Sequence, residues 1–174
     1  MSEDVFCGLV MQKEKGIPCG VAFISDELEC FSEKEDKRIL EMVADRKPEV
    51  VAFTTPLKAD HKLKGFSDEE EELVDEGYSF LPRDMHDQAE MERTEFMKNS
   101  LKRHAPESEI IECRPMVTAE ILGIEGDPDL EDLGMNTENI HSTTEFEAVL
   151  AAITAKYYAN NMYRDKGFVV PKEE

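Results

Sequence analysis

The chain has 174 residues and a net charge of −20, from 40 Asp and Glu against 20 Lys and Arg. Hydrophobic residues make up 40% of it, which indicates a globular protein with a core rather than a disordered chain. Such an acidic surface repels phosphate backbones, so we expect no non-specific nucleic-acid binding. No apolar stretch is long enough to span a membrane, and the acidic N-terminal residues lack the pattern of a secretory signal. These features predict a cytoplasmic protein.

The cysteines show no metal-binding or redox spacing. Cys7, Cys19, Cys30 and Cys113 include no CxxC pair, which argues against a zinc knuckle and a thioredoxin-type site. Three of them lie in apolar, strand-like runs. We therefore expect mostly buried thiols that stay reduced in the cytosol.

The first part of the chain predicts three strands, a helix and a fourth strand. Apolar or alternating runs before Ser32, separated by short polar turns, indicate an antiparallel meander. Ser32 and Glu35 have capping-box spacing, which predicts that a helix opens at Ser32. The continuous apolar run at 50–53 is typical of a parallel strand buried on both faces.

Residues 58–82 differ in composition from the rest of the chain. Five consecutive acids run from Asp68 to Glu72, and Asp75 and Glu76 follow. We expect an exposed acidic insertion, either a solvated loop or a short helix. A lid, or a docking site for a basic partner, is the functional alternative.

The second part of the chain alternates between helical and strand-like segments. Thr144 and Glu147 again have capping-box spacing. The predicted elements are a helix at 87–104, a strand at 109–113, a short helix ending at Gly123 and a long helix from Thr144 to about Tyr163.

The order β-β-β-α-β-α-β-α predicts a single α/β domain over residues 1–174. Its sheet is mixed and five-stranded, with a three-stranded antiparallel meander plus two parallel strands, and helices pack on it. No internal repeat or flexible linker divides the chain.

This order and four local strings resemble a family of uncharacterised, predicted RNase H-like nucleases. The strings are Cys7–Val10, Phe53–Leu57, Glu112–Pro115 and Glu147–Ala155, on the first, fourth and fifth strands and the last helix. Arg83 and Asp84 also resemble an arginine-rich segment that follows the family's fourth strand. The resemblance implies an RNase H-like fold over about residues 4–160. In an active member it implies metal-dependent hydrolysis of a phosphate ester.

Two acidic positions of that family fall on residues that cannot supply a charged ligand here. The first-strand acid falls on Val10 and the fourth-strand acid on Thr54, and residues 5–11 contain no acid at all. Mg²⁺ or Mn²⁺ needs anionic oxygen ligands, and two such cations stabilise the attacking and leaving oxygens of phosphoryl transfer. The resemblance therefore implies a degenerate acidic site.

The acids that remain are the candidates for chemistry. Glu147 and Glu112 are the candidate metal ligands, and both, with Asp84, are the candidate catalytic residues. The candidates for contact with a phosphate or a sugar are Thr54, Thr55 and Arg83. Structural interpretations stay open, because Glu147 fits a capping box, Glu112 fits a polar strand end and the threonines fit the end of a strand.

Two functions from different classes follow. In the first, the chain is a non-catalytic binding or regulatory module, which the missing acids and the charge of −20 favour. In the second, it is a divalent-metal-dependent nuclease or phosphoesterase with an altered carboxylate site, which the retained acids favour. A third possibility is a scaffold that binds a basic protein through its acidic segment, or a homodimer. We adopt the first as the working hypothesis.

Overall fold

The structure is a computed structural model and describes residues 4–14, 16–57 and 64–173. A five-stranded mixed sheet with strand order β3-β2-β1-β4-β5 forms its centre. β1 pairs antiparallel with β2 and parallel with β4, β2 pairs antiparallel with β3, and β4 pairs parallel with β5. The predicted sheet is confirmed. Its strands are β1 (Phe6–Val10), β2 (Cys19–Ile24), β3 (Leu28–Glu33), β4 (Val50–Phe53) and β5 (Glu109–Glu112).

Six α-helices lie within the described part of the chain. They are α1 (Asp36–Arg46), α2 (Asp68–Asp75), α3 (Gln88–His104), α4 (Pro115–Leu122), α5 (Asp127–Asp132) and α6 (Thr143–Ala159). α1 and α3 cover one face of the sheet, and α6 covers the other face with α4 beside it. None of these helices is long and apolar enough to cross a bilayer.

β1 is buried on both faces because it is the central strand. Cys7 and Leu9 pack toward α1 and α3, while Gly8 faces α6. A Cβ atom on Gly8 would lie 2.0 Å from the carbonyl oxygen of Ala148, and one on Gly20 would lie 2.4 Å from that of Thr144. The backbone of α6 therefore rests directly on the backbones of β1 and β2.

The predicted start of α1 is wrong. Ser32 stays in β3, and its hydroxyl donates a hydrogen bond to the carboxylate of Glu145 on α6. The helix begins four residues later at Asp36, with Glu35 as an N-cap that makes no side-chain hydrogen bond. A contact between distant parts of the chain thus overrides the local capping-box pattern.

The long C-terminal helix exists, but its N-cap lies two residues before the predicted one. Ser142 is the N-cap of α6, and its Oγ accepts a hydrogen bond of 3.1 Å from the backbone N–H of Glu145. The helix ends at Ala159 rather than near Tyr163. The capping role that the Thr144 spacing predicts for Glu147 is therefore wrong.

A hairpin follows α6 where the sequence indicated only a short tail. β6 (Tyr163–Asp165) and β7 (Val169–Pro171) pair antiparallel, and Phe168 and Val170 are buried against Leu73. Strands of three residues are too short for alternation to identify them.

The acidic segment is only partly exposed, so the predicted exposed insertion needs correction. Its residues 58–63 lie outside the described ranges. α2 opens with a true capping box of Ser67 and Glu70. Glu70 and Leu73 are fully buried, while most of the remaining acids of α2 face solvent. α2 is thus an amphipathic element of the fold.

Two exposed acids of the acidic segment have basic partners in the chain's own hairpin. Glu72 forms an ion pair with Lys166, and Glu76 lies 3.1 Å from the guanidinium of Arg164. The ion pair with Lys166 lowers the pKa of Glu72, with a smaller contribution from Arg164. The C-terminal hairpin therefore provides basic partners for two side chains of the acidic segment.

We expect Gly8→Ala to destabilise the fold strongly, because the new Cβ would overlap the backbone of α6. Overpacking of this kind costs about 1–3 kcal/mol or more. Gly16→Ala is the matched control, since nothing lies within 4 Å of the Cβ it would add. Urea denaturation of the two variants measures the difference. Equal unfolding midpoints would contradict the close contact between β1 and α6.

Candidate functional site

The candidate site lies where the carboxyl ends of β1 and β4 approach the N-terminus of α6. Leu9 pairs with Phe53 in the parallel register, so the next residues, Val10 and Thr54, stand side by side. Strand alternation puts Val10 on the face that α6 covers, and Thr54 directly follows the last residue of β4. Both side chains are buried, and Val10 belongs to the apolar cluster under α6. The positions that the resemblance assigns to acids thus hold a valine and a neutral hydroxyl.

Thr55 is engaged in the interior of the protein. Its Oγ1 lies 2.7 Å from the Oγ1 of Thr94 on α3, and both residues are buried. This hydrogen bond ties the segment after β4 to α3. The hydroxyl of Thr55 therefore already has a partner, and contact of Thr54 with a phosphate or sugar stays a prediction.

Arg93 organises this edge of the sheet, and nothing in the sequence singled it out. Its guanidinium donates hydrogen bonds to the carbonyl oxygens of Gln12 at 2.8 Å, Glu14 at 3.2 Å and Lys34 at 3.0 Å. It also forms a nearly buried ion pair with Asp36, at 2.8 Å. One side chain of α3 thereby fixes the segments that follow β1 and β3.

Two half-buried carboxylates, Glu90 on α3 and Glu147 on α6, influence each other. Burial raises the pKa of Glu147. Burial also raises the pKa of Glu90, and the nearby charges of Asp87 and Glu147 raise it further, while Lys13 lowers it. The sequence identified Glu147 but missed Glu90, which lies in the first turn of an amphipathic helix where acids are common.

Glu112 at the end of β5 uses both of its carboxylate oxygens in structural contacts. Oε1 accepts a hydrogen bond of 3.0 Å from the backbone N–H of Leu57, and Oε2 accepts one of 2.7 Å from Arg114. Arg114 is 4% exposed, and its guanidinium lies 4.7 Å from the centre of the Phe168 ring. Glu112 therefore holds the ends of β4 and β5 together and anchors the hairpin through Arg114.

Arg83 and Asp84 belong to a second polar cluster, between α2 and the hairpin. The Nε of Arg83 lies 3.5 Å from Oε1 of the buried Glu70, and its Nη2 donates to the carbonyl oxygen of Gly167. Asp84 is exposed and accepts a hydrogen bond from the N–H of Gly65. Within the described residues, neither Arg83 nor Asp84 shares a hydrogen bond or ion pair with Glu147.

His86 lies in the same cluster and is neutral at physiological pH. Burial lowers its pKa to about 4, and the charge of Arg114 lowers it as well, although Leu81 and Glu70 oppose the shift. Among the described residues, the buried side-chain atoms without a hydrogen-bond partner are Glu70 Oε2, Arg83 Nε, His86 Nε2 and Arg114 Nε. All four atoms lie in this cluster or at its edge.

The carboxylates do not assemble into a metal site. Across residues 4–14, 16–57 and 64–173, no three His, Cys, Asp or Glu side chains are placed to hold one cation. A two-cation phosphoryl-transfer centre needs several converging carboxylates. The residues at the two strand ends do not fit that requirement.

Comparisons with known proteins bear on the fold alone. No protein-family model matches the sequence, and no curated protein matches it. A structure of Thermus thermophilus RuvC in complex with a Holliday junction substrate is 16% identical, covers 97% of this chain and 99% of that chain, and has a TM-score of 0.56. A second Thermus thermophilus RuvC structure is 14% identical, covers 96% of this chain and 99% of that chain, and has a TM-score of 0.57. The predicted RNase H-like fold is confirmed, and the chain is a divergent example of it.

We expect Arg114→Met to cost about 3–5 kcal/mol of unfolding free energy, because it leaves the carboxylate of Glu112 largely buried and without its cation. The double variant Arg114→Met, Glu112→Gln should recover part of this loss. The exposed pair of Arg38 and Glu33 provides the control, since Arg38→Met should change stability by at most about 1 kcal/mol. Chemical denaturation measures all three. Equal losses for Arg114→Met and Arg38→Met would contradict the structural role of the buried pair.

We also expect Glu147→Gln to lower the pKa of Glu90, because it removes a charge that raises that pKa. Burial raises the pKa of Glu147 above its ordinary value of 4.5, so its charge at neutral pH lowers the stability of the folded state relative to the unfolded state. Glu147→Gln should therefore keep or raise the free energy of unfolding at neutral pH. Below pH 4.5 the substitution should give no increase, because the carboxyl is then protonated in both states.

An NMR pH titration of glutamate carboxyl carbons, together with urea denaturation, measures both effects of Glu147→Gln. Glu41→Gln, on the exposed side of α1, is the control. An unchanged pKa of Glu90 in Glu147→Gln would show that the two carboxylates do not interact.

Proposed function

We propose that this chain is a non-catalytic RNase H-like domain that acts as a binding or regulatory module. The observation that carries the proposal is the pair Val10 and Thr54, which stand side by side at the strand ends where the resemblance needs two acids. Neither side chain supplies an anionic oxygen for Mg²⁺ or Mn²⁺. The proposal follows from the chemistry of these two residues.

The acids that remain also support a loss of metal chemistry. Both oxygens of Glu112 are committed, one to the backbone of Leu57 and one to Arg114. Asp84 accepts a backbone hydrogen bond in another cluster. Only Glu147 remains at the start of α6, with Glu90 near it. Two carboxylates, without the strand acids, make a poor site for two cations.

The charge of the chain favours protein partners over nucleic acids. A net charge of −20 opposes contact with phosphate backbones and also opposes close association of two copies of the chain. A basic protein is therefore the partner class that we propose. All four cysteines are free thiols, which is compatible with a reducing compartment such as the cytoplasm.

The alternative is a divalent-metal-dependent nuclease or phosphoesterase with an altered carboxylate site. Its support is the pair Glu90 and Glu147, whose charges are close enough to interact. The similar RuvC structure is described with a Holliday junction substrate, which makes branched DNA the first substrate to test under this alternative. Two half-buried carboxylates would hold a single cation at most weakly.

A Mn²⁺ titration by calorimetry, on the wild type and on Glu147→Gln, separates the two functions. We expect no saturable binding in the micromolar range, because the strand acids are replaced. Glu120→Gln controls for weak binding to the acidic surface, since it removes the same charge from an exposed position on α4.

Micromolar binding that Glu147→Gln abolishes and Glu120→Gln leaves intact would overturn the non-catalytic proposal. Cleavage of a branched DNA substrate in the presence of Mn²⁺, lost in Glu147→Gln, would then establish the alternative.

A further inference from the structure

A groove runs between α4 and the first half of α6, on the face of the sheet that carries Val10. Its volume is about 560 Å³. It is mainly apolar, with acids along its edge. Its lining includes Met116, Ala119, Ile124, Phe146, Glu147 and Leu150. We call it the α4–α6 groove.

The floor of the α4–α6 groove is continuous with the core beneath the altered strand end. Ala119, Ile124 and Leu150 are buried in the same apolar cluster as Val10. The resemblance needs a charged carboxylate at position 10. Val10 instead belongs to the apolar cluster that forms the floor of the groove. An apolar floor of this kind binds hydrocarbon and not a hydrated cation.

The rim combines an exposed methionine with acidic side chains. Met116 is 58% exposed, and its flexible thioether can adapt to a bound side chain. Glu120, Glu125 and Glu147 are the charged residues of the lining, which contains no Lys or Arg. The groove is therefore apolar at its base and negative at its edge.

The groove continues past the N-terminus of α6. A second depression of about 420 Å³ shares Glu125, Thr143 and Phe146 with it and adds Asp127 and Ile140. Together they form one longer surface, apolar in the α4–α6 groove and more polar past the N-terminus of α6, where Asp127 adds a fourth acid. This shape fits an extended or helical peptide segment better than a compact small molecule.

We infer that the α4–α6 groove binds a short segment of a protein partner, in which a bulky apolar side chain is flanked by lysines or arginines. The inference rests on the proposed binding function and names its site and partner chemistry. The apolar side chain would cover Ala119, Ile124 and Leu150, and the cations would lie beside the acidic rim. A second copy of the chain is a poor occupant, because it brings a further charge of −20 to an already negative edge.

Selection of short random peptides displayed on phage, against the full chain, tests the inference without assuming a sequence. We expect enrichment of peptides with one bulky apolar residue next to Lys or Arg. The best peptide is then synthesised and titrated at low and high salt. With ¹³C-methyl methionine labelling, its binding should shift the resonance of Met116.

Matched charge variants locate the site. The groove variant is Glu120→Gln, Glu125→Gln, Glu147→Gln. The control removes the same charge from exposed positions on α1 and near the amino ends of β4 and β5, as Glu41→Gln, Glu49→Gln, Glu107→Gln. We expect the groove variant to weaken binding about tenfold or more and the control to change it little. Met116→Asp should abolish binding without unfolding the protein, because Met116 is exposed.

Several results would overturn the inference. They are failure to enrich any peptide, a consensus without basic residues, equal weakening by the groove and control variants, and a Met116 resonance that does not move. A dimer in analytical ultracentrifugation that Met116→Asp dissociates would assign the groove to a second copy instead.

The Mn²⁺ titration is independent of these results. Metal binding at Glu147 would defeat the proposed function, whereas a failed selection without metal binding would defeat only the location and partner named here.

Discussion

The contact between the backbone of α6 and the backbones of β1 and β2 is the constraint on which the rest of the structure depends. Gly8 and Gly20 permit it, because any side chain at either position would overlap the helix. α6 contributes small residues to the same contact, among them Ala148 and Ala152. The close contacts at the two glycines therefore fix where α6 lies on the sheet. The N-terminus of α6 is held at the end of β1 and over β2 and β3, where it contacts Gln12, Gly20 and Ser32. The first half of α6 then forms one side of the α4–α6 groove.

Several acids at different places in the fold stabilise the backbone by accepting hydrogen bonds from it. Glu145 accepts hydrogen bonds from Ser32 and from the N–H of His141, Glu112 from Leu57 and Arg114, and Glu70 from the N–H of Ser67. Each of these carboxylates accepts at least one hydrogen bond from a donor of the chain itself. The RNase H-like scaffold is thus retained, while the carboxylates that persist in it hold secondary-structure elements together. The proposed binding function requires this architecture but no complete metal centre.

The sheet could be predicted from the sequence because buried strands are continuous apolar runs, and their order follows from the turns between them. Helix starts were less predictable. Four strings of the form Ser/Thr-x-x-Glu occur, beginning at Ser32, Ser67, Ser142 and Thr144. Only Ser67 and Ser142 cap a helix, because the hydroxyl of Ser32 bonds to α6 and Thr144 already lies inside α6. Arg93 and Glu90 were missed for a related reason, since their roles depend on residues that only the tertiary fold brings near.

The position of α6 late in the chain has a consequence for how the protein is made. One face of the sheet is complete once β5 has formed, and α1 and α3 can cover their side at that stage. The other face, with Phe6, Val50 and Ala52, is covered by a helix whose last residue is Ala159. During synthesis that apolar face stays open until α6 itself has been made, because the central strand must wait for a contact about 140 residues away in sequence. The face that α6 covers is therefore the last part of the sheet to be buried.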